Sequence, residues 1–507
     1  MAVGRGGRRG AALSLVCALA CALPQGAAEP PRPPDSGALG SVVLLKLARS
    51  PVARLSPERG LDRLGLPALD RDLAVLGASV LPALPILDPE SAERSGLARW
   101  VVLDLPPGVD PAEVILRLWS HGDVEPGSLR FEDPIGLRSP RFGTSLVRVS
   151  EAVAPPRSPP LRTAPRRAPP PSTREVAPRL RALRAPEAWS LSTGRGIGIA
   201  IVDSGLDRNH VALAGQLRSR LGDDGASDHD GNGIPGDLEG VSLAHLAIVR
   251  APGGTYLALA SPDDWSDWDS VQEGRMHWGH GTTLASAAAG SGEAGGPIGV
   301  APGAWLLPVD VQENLSPSLN SGVAPDRRSL PARRVDRAAL APLRSSDWLR
   351  ALGVVYAVRE GARVLTCAWG QEPLSPLLSD ALRYAEESCT VAVCAPASLP
   401  ESDGLLRVAP SDPRNDATPL PDRRVARRAD RAVAIGLTAG AAALLLAERP
   451  DLAPEQIHRL LDARPELDLI GALRAARSSP RGRCEGAAPR EPLWRGRLAD
   501  PTARRAP

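Results

Sequence analysis

The sequence predicts an α/β protein built on a doubly wound parallel sheet and preceded by a smaller α+β module. Three observations carry this. Between about residues 197 and 476, short apolar β-type runs alternate with helical stretches, the order that a parallel sheet with helices on both faces requires. A proline-dense stretch separates that half from the N-terminal one. Hydrophobic residues fill 43% of the 507 positions, which excludes wholesale disorder even though 53 Pro and 49 Gly occupy about a fifth of the chain.

Residues 1–28 read as an export signal. Arg5, Arg8 and Arg9 give a positive start, residues 11–23 an apolar stretch too short to span a bilayer, and Gly26-Ala27-Ala28 a small-residue cleavage site. The expected location is therefore secreted, periplasmic or cell-envelope, in a bacterium. Ala18-Leu19-Ala20-Cys21 is a partial lipobox, so membrane attachment is expected only through lipidation of Cys21. The module follows at 38–130, with β-type runs at 41–47 and 99–105 and a helix introduced by Asp110 (N-cap), Pro111 and Glu113, whose apolar face is Val114, Ile115, Leu118 and Trp119. Nine prolines between 155 and 178 place a linker at 152–178.

The large domain is expected at 179–476. Its strands include 197–202, 364–367 and 390–394, and its helices include 347–360, 379–387 and a buried apolar helix at 432–447. Residues 477–507 return to Arg, Pro and Gly and read as a flexible tail.

Sixty basic residues, of which Lys46 is the single lysine, stand against 58 acidic ones, so no net field draws the chain to nucleic acid. Cys17 and Cys21 lie in the signal, and Cys367, Cys389, Cys394 and Cys484 lack the spacing of a zinc site. Gly194-Arg195-Gly196-Ile197-Gly198 precedes its strand, so no helix N-terminus follows to hold a pyrophosphate and nucleotide binding is rejected.

Three pieces carry chemistry when taken together. The first is Ala200-Ile201-Val202-Asp203-Ser204-Gly205-Leu206-Asp207 at a strand's carboxyl end, where catalytic groups gather in α/β sheets. The second is His277-Trp278-Gly279-His280-Gly281-Thr282, opening a helix of small residues. The third is Ala439-Gly440-Ala441-Ala442-Ala443, followed by Pro450-Asp451-Leu452. In combination they resemble the subtilisin-like serine peptidases, or subtilases, over residues 179–476. Glu187-Ala188-Trp189, His210, Gly299-Val300-Ala301-Pro302 and Leu460-Leu461 add to the resemblance. It implies a subtilisin-like sheet and a ferredoxin-like, propeptide-like N-terminal module. It also implies a triad in the order Asp, His, Ser, with Asp203 orienting the imidazole and His280 as general base.

The same resemblance locates a loss. With the register set by Ala439-Gly440, the family's Gly-Thr-Ser-Met-Ala falls on Asp430-Arg431-Ala432-Val433-Ala434, so the nucleophile position is Ala432. The oxyanion asparagine falls on Ala397, and the substrate-lining Ser-Leu-Gly becomes Ala368-Trp369-Gly370, with a Trp where a peptide would lie. In subtilisin, losing the Ser costs about 10⁶ in turnover and losing the Asn side chain about 10² to 10³. Making Thr438 the nucleophile breaks the register of the following helix, and Ser398 reads as a loop serine. The expectation is an inactive pseudopeptidase with a peptide or protein ligand. Its alternatives are a working serine endopeptidase with a non-standard nucleophile and a structural envelope protein. The oligomeric state is left open.

Asp228-His229-Asp230-Gly231-Asn232-Gly233 with Glu239 matches a calcium-loop spacing, giving Asp228, Asp230, Asn232 and Glu239 as candidate ligands, against a plain surface turn as the other reading. Asp263, Asp264, Asp267 and Asp269 beside Trp265 and Trp268 read as a solvated insertion. By the resemblance, Cys367 and Cys394 fall on adjacent strands, where they either pair or remain buried thiols.

Overall fold

A computed structural model describes residues 42–132, 146–148, 178–217, 228–311, 347–394, 405–407 and 423–484, with short interruptions inside some of these spans. The predicted signal, the linker up to residue 177, Ala397, Ser398 and the chain beyond 484 lie outside the described residues.

In the N-terminal module, β1 (Val42–Lys46), α1 (Pro67–Leu76), β2 (Ser79–Pro82), α2 (Pro89–Ser95), β3 (Trp100–Asp104), α3 (Pro111–Leu118) and β4 (Arg130–Glu132) form an antiparallel sheet in the order β4-β1-β3-β2, the ferredoxin-like arrangement. Local chemistry sets the helix ends. Asp88 caps α2 by accepting from the Ser91 amide at 3.0 Å, Pro89 takes the first turn, and Gly96 closes the helix in the left-handed region. Period-two alternation then gives the sheet two uses. Val43, Leu45, Val101 and Leu103 pack with Leu69, Leu73, Val114 and Leu118 of the two long helices, while Val42, Leu44, Trp100 and Val102 point the other way, into the large domain.

Past β5 (Leu146–Arg148), α4 (Pro178–Ala182) and α5 (Ala185–Ala188), the chain enters its main sheet at β6 (Gly198–Asp203). The loop and hairpin region holds β7 (Val241–Ser242), β8 (Leu246–Ala251), β9 (Gly254–Ala260), β10 (Val271–Gln272) and β11 (Arg275–Met276). Then come α6 (His280–Ala289), β12 (Trp305–Asp310), α7 (Asp347–Arg359), β13 (Val364–Cys367), α8 (Pro376–Glu387), β14 (Val391–Cys394), β15 (Leu405–Arg407), α9 (Arg423–Glu448), α10 (Pro454–Asp462) and α11 (Leu469–Ser478). The six-stranded sheet runs β15-β14-β13-β6-β12-β7 and is parallel at every pairing. Ile199, Ile201 and Leu306 face the core shared with α6 and α9; Ala200, Val202 and Leu307 face α7 and α8. The α/β prediction thus holds, with helices on both faces.

Two features were not expected. Strands β8 and β9 form a hairpin whose central strand β9 also takes β5, giving a separate antiparallel sheet. Cys389 pairs with Cys484, alongside the disulfide between Cys367 and Cys394, which are register partners on adjacent strands. The residues just after α11 are consequently not a free tail. Gly482 N–H donates to Asp451 at 2.9 Å and Arg483 bonds Glu455. No helix among the described residues is long and apolar enough to cross a membrane.

Candidate active site

Asp203 is the last residue of β6 and is 1% exposed; His280 is the first residue of α6. His280 Nδ1 lies 2.7 Å from Asp203 Oδ1, and the imidazole side chain remains 23% exposed. The Ser204 amide donates to the same carboxylate oxygen at 2.9 Å and the Ser204 hydroxyl at 3.3 Å. Burial, the largest single influence, pushes the Asp203 carboxyl up. The charge and hydrogen bond of His280 and the two Ser204 bonds oppose it, and the balance leaves the carboxyl below its ordinary value. Asp203 is therefore held ionised, the state that orients an imidazole and stabilises its protonated form.

The glycines beside His280 explain how these elements meet. Gly279 adopts φ of +106° at the N-cap, and a side chain on Gly281 would overlap the carbonyl oxygen of Gly205 in the turn after Asp203. Thr282 accepts from the Asp207 amide at 2.8 Å, fastening that turn to α6. Sequence reasoning missed Ser204, Thr282 and Trp265 as supports. The Trp265 carbonyl accepts from the Leu206 amide at 3.2 Å, and its indole is 1% exposed with the Arg208 guanidinium 4.4 Å above it. This corrects the reading of that insertion as solvated at Trp265. The outer motifs converge as well: Trp189 Nε1–H donates to the Val300 carbonyl at 2.8 Å, and Val300 and Ala301 bond back to the end of α6.

Ala432 lies on α9 and is 1% exposed. Gly436, one turn further on, packs against Leu284 and Ala287 of α6, and Gly440, after another turn, against Ala288 and Val300. The two helices therefore run side by side in step, and the turn carrying Ala432 is level with the turn carrying His280. The helix begins at Arg423, earlier than the apolar run implied, so position 432 lies more than two turns inside it and its amide is committed to the helix's own bonding.

Trp369 corrects another expectation. It is turned away from the space above the sheet, donates Nε1–H to the Val202 carbonyl at 2.7 Å and has the Arg350 guanidinium 5.7 Å from its ring. Ala368 and Trp369 continue the alternation of β13, which sends the indole to the α7 side with Leu365 and Cys367.

Against this geometry the sequence profile of the subtilase family matches residues 194–397, spanning Asp203 and His280. Over those residues the chain is similar to the subtilase family. It is 26% identical over 333 residues to a probable subtilase-type serine protease of Deinococcus radiodurans, covering 55% of this chain and 38% of that protein. It is 33% identical over 91 residues to thermitase of Thermoactinomyces vulgaris, covering 18% and 31%, and 25% identical over 207 residues to fervidolysin of Fervidobacterium pennivorans, covering 41% and 21%. The chain thus spans between 21% and 38% of the length of these curated relatives. The crystal structure of fervidolysin, a keratinolytic enzyme related to subtilisin, aligns with a TM-score of 0.46 at 16% identity over 89% of this chain and 62% of that one.

In this large domain the four proposed calcium ligands do not converge. Asp228 accepts from the Asn232 and Gly233 amides at 3.1 and 2.8 Å, closing the loop, and Glu239 pairs with Arg208 at 3.3 Å. The carboxylates that do meet are Asp230, Asp237 and Glu360, whose oxygens lie within 4.8 Å of one another. Asn232 joins them through its side-chain amide, which donates to Asp237 at 2.8 Å and Glu360 at 3.0 Å. Three converging carboxylates fit a hard divalent cation. Linear loop spacing pointed to Glu239 because it could not see Glu360, which the turn just after α7 supplies from 128 residues away from Asn232.

Proposed function

We propose that the protein is an exported pseudopeptidase that binds peptide or protein segments and does not cleave them. The observation that carries this reading is an ordered Asp203–His280 pair facing a helix turn whose side chain at 432 is a methyl group. An imidazole backed by an ionised carboxylate is suited to taking a proton from a hydroxyl, and without a hydroxyl there is no acyl-enzyme. Thr438, the candidate replacement nucleophile, spends its hydroxyl on the Ala434 carbonyl at 2.9 Å, the back-bonding usual for a Thr inside a helix. Export is supported by the two disulfides that use all four cysteines after the predicted signal, since such bonds persist in oxidising compartments. We assign calcium to Asp230, Asp237 and Glu360, where it would neutralise clustered carboxylates and stiffen the loop after β6.

The test is to incubate the purified full-length chain and its His280→Ala variant with an unfolded protein, following both binding and peptide release. Binding by both without release supports the proposal. Release by the parent chain that the variant abolishes overturns it in favour of a working endopeptidase, and absence of binding by either favours the structural envelope reading.

A further inference from the structure

We infer that the outer edge of β9 is a main-chain docking site for an extended polypeptide segment, and that β5 occupies it from within the chain. The inference rests on the reading above that the protein binds peptide segments, and names where they bind: as an added strand on the β8–β9 hairpin.

The hairpin fixes which backbone groups of β9 face outward. Ala251 and Gly254 pair at its closed end, and from there the groups of β9 point alternately to β8 and to the far side. Thr255, Leu257 and Leu259 are the outward set. Two bonds agree with this parity: the Leu257 amide donates to the Pro57 carbonyl at 2.8 Å, and the Thr255 carbonyl accepts from the Gly60 amide. Leu259 opposes Val147 of β5, with Ala260 opposite Leu146 and Ala258 opposite Arg148. Val147 therefore turns its amide and carbonyl towards β9, while those of Leu146 and Arg148 turn away.

Three features suit this edge to an incoming strand. Its partners here are Pro57, Gly60 and Val147, three unlike residues, so what it recognises is backbone. β5 supplies three residues against the seven of β9 and is the end strand in the order β5-β9-β8, so an arriving segment has one short ladder to displace. The edge is also a firm template, because Leu257 and Leu259 are buried in the large core with Leu246. A residue opposite Leu259 shares its face, so the preferred segment carries an apolar residue there.

The site is joined to the Asp203–His280 pair. Five residues past the end of β9, the Trp265 carbonyl accepts from the Leu206 amide in the turn after Asp203. A strand added to β9 would thus lie on the same insertion that braces the pair.

The test uses the full-length chain and a fluorescein-labelled peptide with the sequence of residues 143–150, Gly-Thr-Ser-Leu-Val-Arg-Val-Ser, followed by fluorescence anisotropy. Val147→Pro in the protein removes the amide aimed at Leu259 and frees the edge, and is expected to tighten peptide binding by about ten-fold over the parent. The peptide N-methylated at its Val147 is expected to lose that binding, and the peptide N-methylated at its Arg148 to keep it. A benzophenone carried by the peptide is expected to crosslink to the hairpin in the parent and in the variant. Absence of tightening in a Val147→Pro protein with parental circular dichroism, equal loss with either N-methyl group, or crosslinks away from the hairpin overturns the inference. If unfolded protein still binds in that case, the reading above stands without this site; if it binds to no form of the chain, both fall.

Discussion

The carbonyl of Leu284 on α6 and the bare Cα of Gly436 on α9 are packed so closely that a Cβ at 436 would overlap that oxygen and lie 2.8 Å from the Cβ of Ala287. This contact sets the two helices in step and brings Ala432 level with His280. Gly436→Ala is expected to destabilise the protein by about 1–3 kcal/mol through overpacking, even though Ala is the better helix former by about 1 kcal/mol. Urea unfolding followed by circular dichroism checks it, and an unchanged midpoint would mean that the helices do not pack this way.

Cys389 and Cys484 close a span of 95 residues and tie the segment after α11 to the turn before β14. Cys484→Ser is expected to cost about 2–5 kcal/mol, the usual loss for a native bridge. Thermal melts with and without reductant should show the parent falling towards the variant, and the variant responding less.

Acid weakens the interface between the lobes in a defined direction. Burial, the largest influence on Asp380, pushes its carboxyl up, but the hydrogen bonds from Lys46 and Trp100 and the charges of Lys46 and Arg383 outweigh it and hold the carboxyl below its ordinary 3.8. A carboxyl lowered by folding contributes stability that is complete above its unfolded value and is lost as pH falls through the lowered one. Urea midpoints are therefore expected to fall between neutral pH and the region below 3.8, with Asp380→Asn less stable at neutral pH and falling less.

Calcium is expected to raise the melting temperature and a chelator to lower it. Glu360→Gln should remove that response, whereas Glu239→Gln should keep it, because Glu239 is paired with Arg208 and lies outside the carboxylate cluster. Differential scanning fluorimetry with each variant gives the answer.

Much of this molecule was legible in its sequence because periodicity and capping are local. The strand at 364–367 has the bounds read from its apolar run, and Asp203 and His280 were marked by the motifs that place them at a strand's end and a helix's start. What was missed depended on parity or distance. Trp369 shares the strand parity of Leu365 and Cys367, so it turns into the core; reading it by its size alone put it in the groove. The runs around Pro252-Gly253 carry a hairpin signal that went unread, and that hairpin is what binds the N-terminal half. Glu360 and Cys484 meet their partners across 128 and 95 residues, and no local pattern announces such a meeting.

The central claim is that the Asp203–His280 pair has no nucleophile to activate. The most direct measurement is intact and peptide-level mass spectrometry of the purified full-length chain after exposure to a fluorophosphonate. The account predicts no adduct on any Ser or Thr and an N-terminal module still covalently joined to the domain. An adduct at Thr438 or Ser398 that His280→Ala abolishes, or a module released by self-cleavage, would contradict it.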